Sequence, residues 1–180
     1  MLRITLWALA GLVLGIIIHV GIILSLPALA RDDVWSRVSA LENRDRFVVL
    51  EDVAAGEANP FELDPEILYA VCRINLEAAP GAVSGRLPDA FWTVSVFDAT
   101  GRAVYGTTNR SGIGQILQLG IFNPAQTRLL AEQQLDITEG LLIVESRLDD
   151  VFVIIRLAPP HPAVRSRFRS ELSGLNCGNA

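Results

Sequence analysis

The sequence predicts a mainly β domain, an antiparallel sandwich or barrel, with an N-terminal transmembrane helix and a C-terminal amphipathic helix. Three observations support this fold class. A long uncharged apolar segment opens the chain, short alternating or β-branched runs separated by turn residues follow, and the chain ends with apolar residues at helical spacing. Short strands at such intervals favour antiparallel sheets over βαβ units.

Length and charge limit the number of domains and the classes of partner. The chain has 180 residues and a formal net charge of −5; without Arg3, residues 31–180 hold 14 Arg and 20 acidic residues. This acidic balance argues against a nucleic-acid partner. The length after the apolar segment suits one compact domain. We therefore expect a membrane segment at 1–30, a juxtamembrane helix or linker at 31–46 and a β-rich domain at 47–180.

The apolar segment is long enough to cross a membrane. Between Ile4 and Leu26 there are 23 residues without a charge apart from the titratable His19, which span roughly 34 Å as a helix. Ala28-Leu29-Ala30 matches a signal-peptidase site, but the segment exceeds the roughly 7 to 15 apolar residues of a signal peptide. An uncleaved anchor is therefore favoured over a cleaved signal. We expect a single-pass inner-membrane protein with its domain on the periplasmic side.

One face of this helix carries small residues. Gly11, Gly15 and His19 recur every four residues, a spacing at which another helix can approach closely. This pattern predicts a helix-packing face. Glycine is also common in membrane helices without such a role.

A short amphipathic helix is predicted directly after the membrane segment. Residues 31–42 place Val34, Trp35, Val38 and Leu41 at helical spacing behind two aspartates. Trp35 either packs on its own domain or lies at the level of the lipid headgroups.

The strands are predicted from short apolar or alternating runs. The expected strands are 47–50, 67–76, 91–97, 103–107, 141–146 and 151–157, with a hairpin loop at 98–102. Residues 124–134 fit either a short helix or a strand.

The chain is expected to end in a helix. After the prolines at 159–162, Val164, Phe168, Leu172 and Leu175 recur at helical spacing up to a stop near Gly174. The opposite side carries His161, Arg165 and Arg169, with Arg167 nearby, and we expect this side to face solvent. The alternative is a contact with anionic headgroups or an acidic partner.

Cys72 and Cys177 are the two cysteines of the chain. In an oxidising compartment such a pair is compatible with a disulfide that ties the C-terminal tail to an early strand. The alternative is a buried Cys72 and a free Cys177 near the chain end, because the sequence does not fix their distance.

No motif for catalysis or for a metal or cofactor site is recognisable. A Cys-x-x-Cys pair, a nucleophile elbow and a phosphate-binding loop are lacking, and His161 is the single histidine after residue 30. We therefore predict no cofactor, no metal and no catalytic residue. The polar groups best suited to a ligand site are Arg73, Asp98, Tyr105 and His161.

A little over half the chain, from Asn59 to Leu157, resembles the domain of unknown function 1254 family. The resemblance is carried by Asp64 and Tyr69, the run 69–76, Ala79-Pro80, the run 88–98 and Tyr105. It implies a β-rich fold. Longer members carry a second domain, of unknown function 1214, which this chain is too short to include. A separate protein that supplies this domain is therefore an expected partner.

Two functions remain open at this point. The favoured one is a non-enzymatic, membrane-anchored envelope subunit that binds another protein. The alternative is a small-ligand binder or an enzyme with a site near Arg73, Asp98, Tyr105 and His161. A flat apolar patch on the domain would favour the first, whereas a deep pocket with two or more of these four residues would favour the second.

Overall fold

The computed structural model describes residues 2–29, 34–54, 56–111, 114–132 and 140–180. The strands in these residues are β1 (Val48–Val49), β2 (Leu68–Asn75), β3 (Gly81–Arg86), β4 (Phe91–Asp98), β5 (Ala103–Thr108), β6 (Ile116–Phe122), β7 (Leu142–Glu145), β8 (Asp150–Ala158) and β9 (Asn176–Asn179). The helices are α1 (Leu2–Leu29), α2 (Val34–Ser39), α3 (Pro124–Glu132) and α4 (Arg165–Ser173), and a 3-10 turn at Pro162–Val164 precedes α4.

The strands form two sheets that share one core, so the predicted mainly β fold is confirmed. The five-stranded sheet has the order β1-β2-β8-β4-β5 and the four-stranded sheet the order β7-β6-β3-β9. Alternate side chains of each sheet point into the space between them. Ile74 and Val94 meet Leu119 and Ile121 there, and all four are at most 1% exposed.

Most neighbouring strands are antiparallel, as predicted, but β6 and β7 are parallel. A parallel pair needs a crossover connection, and α3 lies in the chain between these two strands. The helical alternative for residues 124–134 is therefore the observed one for 124–132, and residues 133 and 134 lie outside the described part of the chain.

The N-terminal helix is the longest element. Residues Leu2–Leu26 of α1 are long and apolar enough to cross a membrane, with a mean hydropathy of 2.6 and every residue exposed. A signal sequence has the same properties. Gly11, Gly15 and His19 lie on one face of α1, with open space around the two glycines. The possible cleavage site at Ala30 lies outside the described residues.

The predicted strands correspond to β1, β2, β4, β5, β7 and β8, and the hairpin at 98–102 joins β4 to β5. Three strands, β3, β6 and β9, were not predicted. The C-terminal helix is confirmed: Phe168 and Leu172 of α4 are buried in the shared core, and the helix ends before Gly174.

A disulfide joins the two sheets through this core. Cys72 on β2 is fully buried and is bonded to Cys177 on β9, with 6.6 Å between their Cα atoms. β9 directly follows α4 and pairs with β3. The bond therefore fixes the C-terminal segment to the opposite sheet.

Candidate binding surfaces

The outer face of the five-stranded sheet carries large apolar side chains and is covered. Val71 and Phe152 face away from the shared core, yet only 2% and 1% of their surface is exposed. Trp35 and Val38 of α2 belong to the same cluster, and the ring centroids of Trp35 and Phe152 are 5.9 Å apart. The other members of this second apolar cluster are Leu41, Leu50, Phe61, Leu63, Tyr69, Phe97 and Ile154.

An apolar groove of about 460 Å³ lies between this sheet face and the residues that precede β2. This volume is within the roughly 300 to 1,000 Å³ of small-ligand sites. Three charged side chains also line the groove: Glu62, Asp64 and Arg156. The uncharged residues around it are Val38, Leu50, Phe61, Leu63, Ile67, Tyr69, Val71, Phe97, Gly101, Phe152 and Ile154.

The wall of the groove at residues 59–64 is held by local hydrogen bonds. The Asn59 amide donates to the Leu63 carbonyl at 2.9 Å and accepts from the Leu63 backbone N–H at 2.8 Å. The Arg37 guanidinium of α2 donates to the Pro60 carbonyl at 2.5 Å. On the floor, the Tyr69 hydroxyl accepts from the Asp64 backbone N–H at 3.1 Å. The wall is thus attached both to α2 and to the sheet.

Helix α4 binds both ends of the segment that connects β1 to β2. Arg165 and Arg169 both form ion pairs with Asp52, the second at 2.7 Å. Arg165 also donates to the Glu66 carbonyl at 3.1 Å, and Arg169 donates to the Leu50 carbonyl at 2.9 Å. The prediction that these two arginines face solvent was therefore wrong, because they bridge α4 to the segment that builds the groove.

These arginines also determine the ionisation of Asp52. The hydrogen bond from Arg165, followed by the hydrogen bond and charge of Arg169, holds the pKa of the Asp52 carboxyl below its ordinary value, although burial alone would raise it. The carboxylate is therefore charged near neutral pH, and the ion pairs are intact there.

The outer face of the four-stranded sheet differs in composition. Its outward residues are small or polar for the most part, and the charged ones, Arg86 and Glu145, lie at the ends of β3 and β7. We call this surface the open face: Ala82, Ser84, Gln118, Gly120, Phe122 and Ile143. A shallow depression of about 360 Å³ lies on it. Within the described part of the chain, no apolar cluster covers this face in the way that the second apolar cluster covers the five-stranded sheet.

The flatness of the open face comes from one row of residues across the sheet. Ala82 on β3 is paired with Gly178 on one side and with Gly120 on the other, and Gly120 is paired with Ile143. The Phe122 ring lies close to Gly120, because a Cβ atom at Gly120 would be 2.7 Å from Phe122 Cε2. A small residue at 120 therefore lets this ring lie flat on the sheet.

Arg73 and Trp35 pack against each other. Arg73 lies on the outward side of β2, and its guanidinium carbon is 5.8 Å from the centre of the Trp35 ring. This contact and the one with Phe152 show that Trp35 packs on its own domain, which was one of the two alternatives for this residue.

Asp98 stabilises the hairpin between β4 and β5. Its carboxylate is 1% exposed, accepts from the backbone N–H groups of Thr100 and Arg102 at 3.0 and 3.1 Å, and pairs with the Arg102 guanidinium at 3.0 Å. Burial raises the pKa of Asp98, but the hydrogen bonds from Thr100 and Arg102 outweigh this effect and lower it. Its interactions are therefore those of a turn residue.

The structure does not bring the four polar candidates together. Asp98 and Tyr105 point to the core side of the five-stranded sheet, whereas Arg73 lies on its outer side. His161 is exposed beyond the end of β8, where its Nδ1 accepts from the Ala163 backbone N–H at 3.1 Å. None of the four lines the groove.

The groove is not among the sites predicted from the sequence. Phe61 and Leu63 lie outside any strand or helix, and Ile154 and Arg156 were recognised as parts of a strand only. One available signal is the alternation of β8, since Phe152, Ile154 and Arg156 fall on the same side of the strand.

Comparison with known proteins gives a likeness of fold. No family model matches the chain, and no curated protein does. A similar solved structure is the crystal structure of the VPA0106 protein from Vibrio parahaemolyticus, a Northeast Structural Genomics Consortium target. Its TM-score is 0.50 at 14% sequence identity, and the match covers 65% of this chain and 28% of that chain. At this identity the likeness concerns the fold alone.

Proposed function

We propose that this chain is a non-enzymatic subunit of the bacterial envelope, anchored in the inner membrane by α1, that binds another protein through the open face. The domain would lie on the periplasmic side. The apolar length of α1 supports the anchor, and the disulfide between Cys72 and Cys177 is of the kind that persists in an oxidising compartment.

The open face is the observation that carries this proposal. The outward residues at the centre of this sheet surface are uncharged and mostly small or polar, and the charged outward residues Arg86 and Glu145 lie at the ends of their strands. Ile143 is 37% exposed, and Ile116, at the margin of the face, is 60% exposed. A flat surface with an uncharged centre and exposed aliphatic groups is suited to a protein partner.

The dispersal of the four polar candidates weighs against the alternative function. An enzyme or a polar-ligand site near Arg73, Asp98, Tyr105 and His161 would require these groups to converge on one cavity. Two of them face the core and one is exposed at the far end of β8. The first function is therefore the one we propose.

The resemblance to the domain of unknown function 1254 family suggests which partner to look for. Longer members of that family join this type of domain to a second one within a single polypeptide. A separately encoded protein with the second domain is therefore the partner that we propose for the open face.

A pull-down with two matched variants tests the proposal. Ser84 and Ser95 are both half-buried outward serines, on the open face and on the outer face of the five-stranded sheet respectively. Full-length tagged protein is isolated from mildly solubilised membranes, and its partners and its own N-terminus are identified by mass spectrometry. We expect a stoichiometric partner with the wild type and with Ser95→Arg, and its loss with Ser84→Arg.

The same experiment has clear contrary outcomes. Recovery of the wild type without a partner contradicts the interaction, and equal loss with both arginine variants contradicts the role of the open face. A mature chain that begins at Arg31, rather than at Met1 or Leu2, contradicts the membrane anchor.

A further inference from the structure

The groove on the five-stranded sheet has an interior suited to an aliphatic chain. Val71, Phe97 and Ile154 on the floor face Phe61 and Leu63 on the wall. Burial of an acyl chain against such side chains removes apolar surface from water and is therefore favourable. The apolar lining therefore selects for a ligand with an aliphatic part.

The charged side chains that line the groove are of both signs. Arg156 is exposed and forms no ion pair with any described residue. Glu62 and Asp64 are also exposed and line the same groove, on the wall at residues 59–64. A guanidinium suits a phosphate, whereas carboxylates suit an ammonium group. A headgroup that contains both a phosphate and an amine is complementary to this set of charges.

The groove is close to the membrane segment in the chain. α1 ends at Leu29, and Trp35, which contacts Phe152 of the groove, follows six residues later. Six residues extend over at most about 22 Å. With α1 in a bilayer, the α2 side of the groove is therefore held within this distance of the lipid headgroups.

We propose that the groove binds one acyl chain of a phospholipid whose headgroup carries a phosphate and an amine. Arg156 pairs with the phosphate, and Glu62 and Asp64 pair with the ammonium group. The site lies on the sheet opposite the open face, so this proposal does not depend on the protein partner described above.

Photocrosslinking of the full-length chain tests the site directly. The probe is lysophosphatidylethanolamine with a diazirine in its acyl chain, added to the protein in non-ionic detergent micelles. After irradiation we expect adducts within residues 61–71 and 152–156, and we expect unlabelled lysophosphatidylethanolamine to compete with them. Adducts confined to α1 would show general contact with lipid and would overturn the proposal. Groove adducts that unlabelled lysophosphatidylethanolamine does not compete away would overturn it as well.

Charge variants test the recognition of the headgroup. Arg156→Gln should reduce labelling of the groove about tenfold, the loss expected for one charge-assisted hydrogen bond to phosphate. Arg110→Gln is the matched control, since Arg110 is an exposed arginine that lies outside the groove, over the Phe91 ring. This control should label like the wild type. Equal labelling of Arg156→Gln and the control would overturn the assignment of Arg156.

A second probe separates the amine from the phosphate. Lysophosphatidylglycerol with the same diazirine chain keeps the phosphate but lacks the amine, and it should label the wild-type groove several-fold less. The double variant Glu62→Gln with Asp64→Asn should abolish this preference, because both side chains lose their charge but keep their size. Equal labelling of the wild type by both lipids would overturn the proposed headgroup class.

Discussion

The two sheets of the sandwich differ in their outer faces. On the five-stranded sheet, outward residues such as Val71 and Phe152 are large and apolar, and α2 and the segment before β2 bury them. On the four-stranded sheet, outward residues such as Ala82 and Gly120 are small, and the described part of the chain builds no apolar cluster over them. Strand alternation is the same in both sheets, but it produces a covered face in one and an open face in the other.

This difference relates side-chain size to burial of a sheet face. Another segment of the chain packs over a face with large apolar side chains and does not pack over a face with small ones. Burial of a Val or Phe side chain contributes roughly 1.5 to 3 kcal/mol, which offsets the entropy lost when a covering residue is ordered. Alanine and glycine offer little area for such burial. The covering segment on the five-stranded sheet also creates the groove, because it does not fill the whole space above the strands.

The largest expected effect concerns the bond that joins the two sheets. Cys72 and Cys177 are 105 residues apart in sequence, and the loop-entropy model gives about 4 to 5 kcal/mol for a loop of this length. The variant Cys72→Ala with Cys177→Ser should lose about this much free energy of unfolding, as measured by urea denaturation of the full-length protein in detergent micelles. Reductant should destabilise the wild type and leave the variant unchanged. A wild type unaffected by complete reduction would show that core packing alone holds the sheets together.

The next effect compares one aromatic residue from each outer face. Phe152 is 1% exposed between Trp35 and Phe97, and its ring centroid is 5.2 Å from that of Phe97. Phe152→Ala should cost about 3 to 5 kcal/mol, as for other buried phenylalanines. Phe122→Ala on the open face should cost about 1 kcal/mol, since a half-buried ring loses fewer contacts. Similar losses in urea denaturation would mean that the two faces do not differ in packing.

The strands of the covered face could be predicted, whereas two strands of the open face could not. β4 and β8 contain dense β-branched and aromatic residues. β3 contains two glycines and a serine, and β9 has Cys177 as its sole apolar residue, so their strand structure depends on pairing with neighbours and on the disulfide. β6 was missed although its Leu117, Leu119 and Ile121 do alternate with other residues.

The candidate sites, like the strands, could be predicted from the sequence only in part. Asp98 has the same parity along β4 as Trp92, Val94 and Val96, which places it on the core side. This parity was available from the sequence and excludes a common site with the outward Arg73. The groove, in contrast, depends on the packing of Phe61 and Ile154 against one apolar cluster, although the two residues are far apart in sequence. No local pattern marks such a site, because the covering segment has neither helical nor strand periodicity.

A smaller effect concerns the ion pairs that bind the segment between β1 and β2 to helix α4. Asp52→Asn removes the charge that Arg165 and Arg169 bind, and it should cost roughly 1 kcal/mol at neutral pH, because the Asp52 side chain is 46% exposed and solvent screens the pairs. Hydrogen exchange in residues 50–67 should become faster. Glu42→Gln, which removes a more exposed pair with Arg46, is the control and should have no measurable effect.

The pH dependence of this attachment follows from the lowered pKa of Asp52. Since the pKa in the folded state lies below the ordinary value of 3.8, the ion pairs stabilise the fold above that pH. Their contribution should be lost as the pH falls below about 4 and through the folded pKa. Asp52→Asn should therefore flatten the acid limb of the stability curve. An unchanged acid limb would show that α4 is held by Phe168 and Leu172 in the core alone.

The smallest effect compares one glycine from each outer face. Neither Gly106 on β5 nor Gly120 on β6 has a left-handed backbone. A Cβ atom at Gly106 would meet its nearest neighbour, Ser95 Oγ, at 3.9 Å. Gly106→Ala should therefore stabilise the protein by about 0.5 kcal/mol. Gly120→Ala should show no gain or a small loss in urea denaturation, because the new methyl group displaces the Phe122 ring, which is 2.7 Å away at Cε2.

A double variant identifies the cause of this difference. If the Phe122 ring is the obstacle, Gly120→Ala in a Phe122→Ala background should regain the stabilisation seen for Gly106→Ala. Equal gains for both single variants would instead mean that the ring moves away without cost. The open face would then adapt its shape to a partner, and its flatness would not be what a partner recognises.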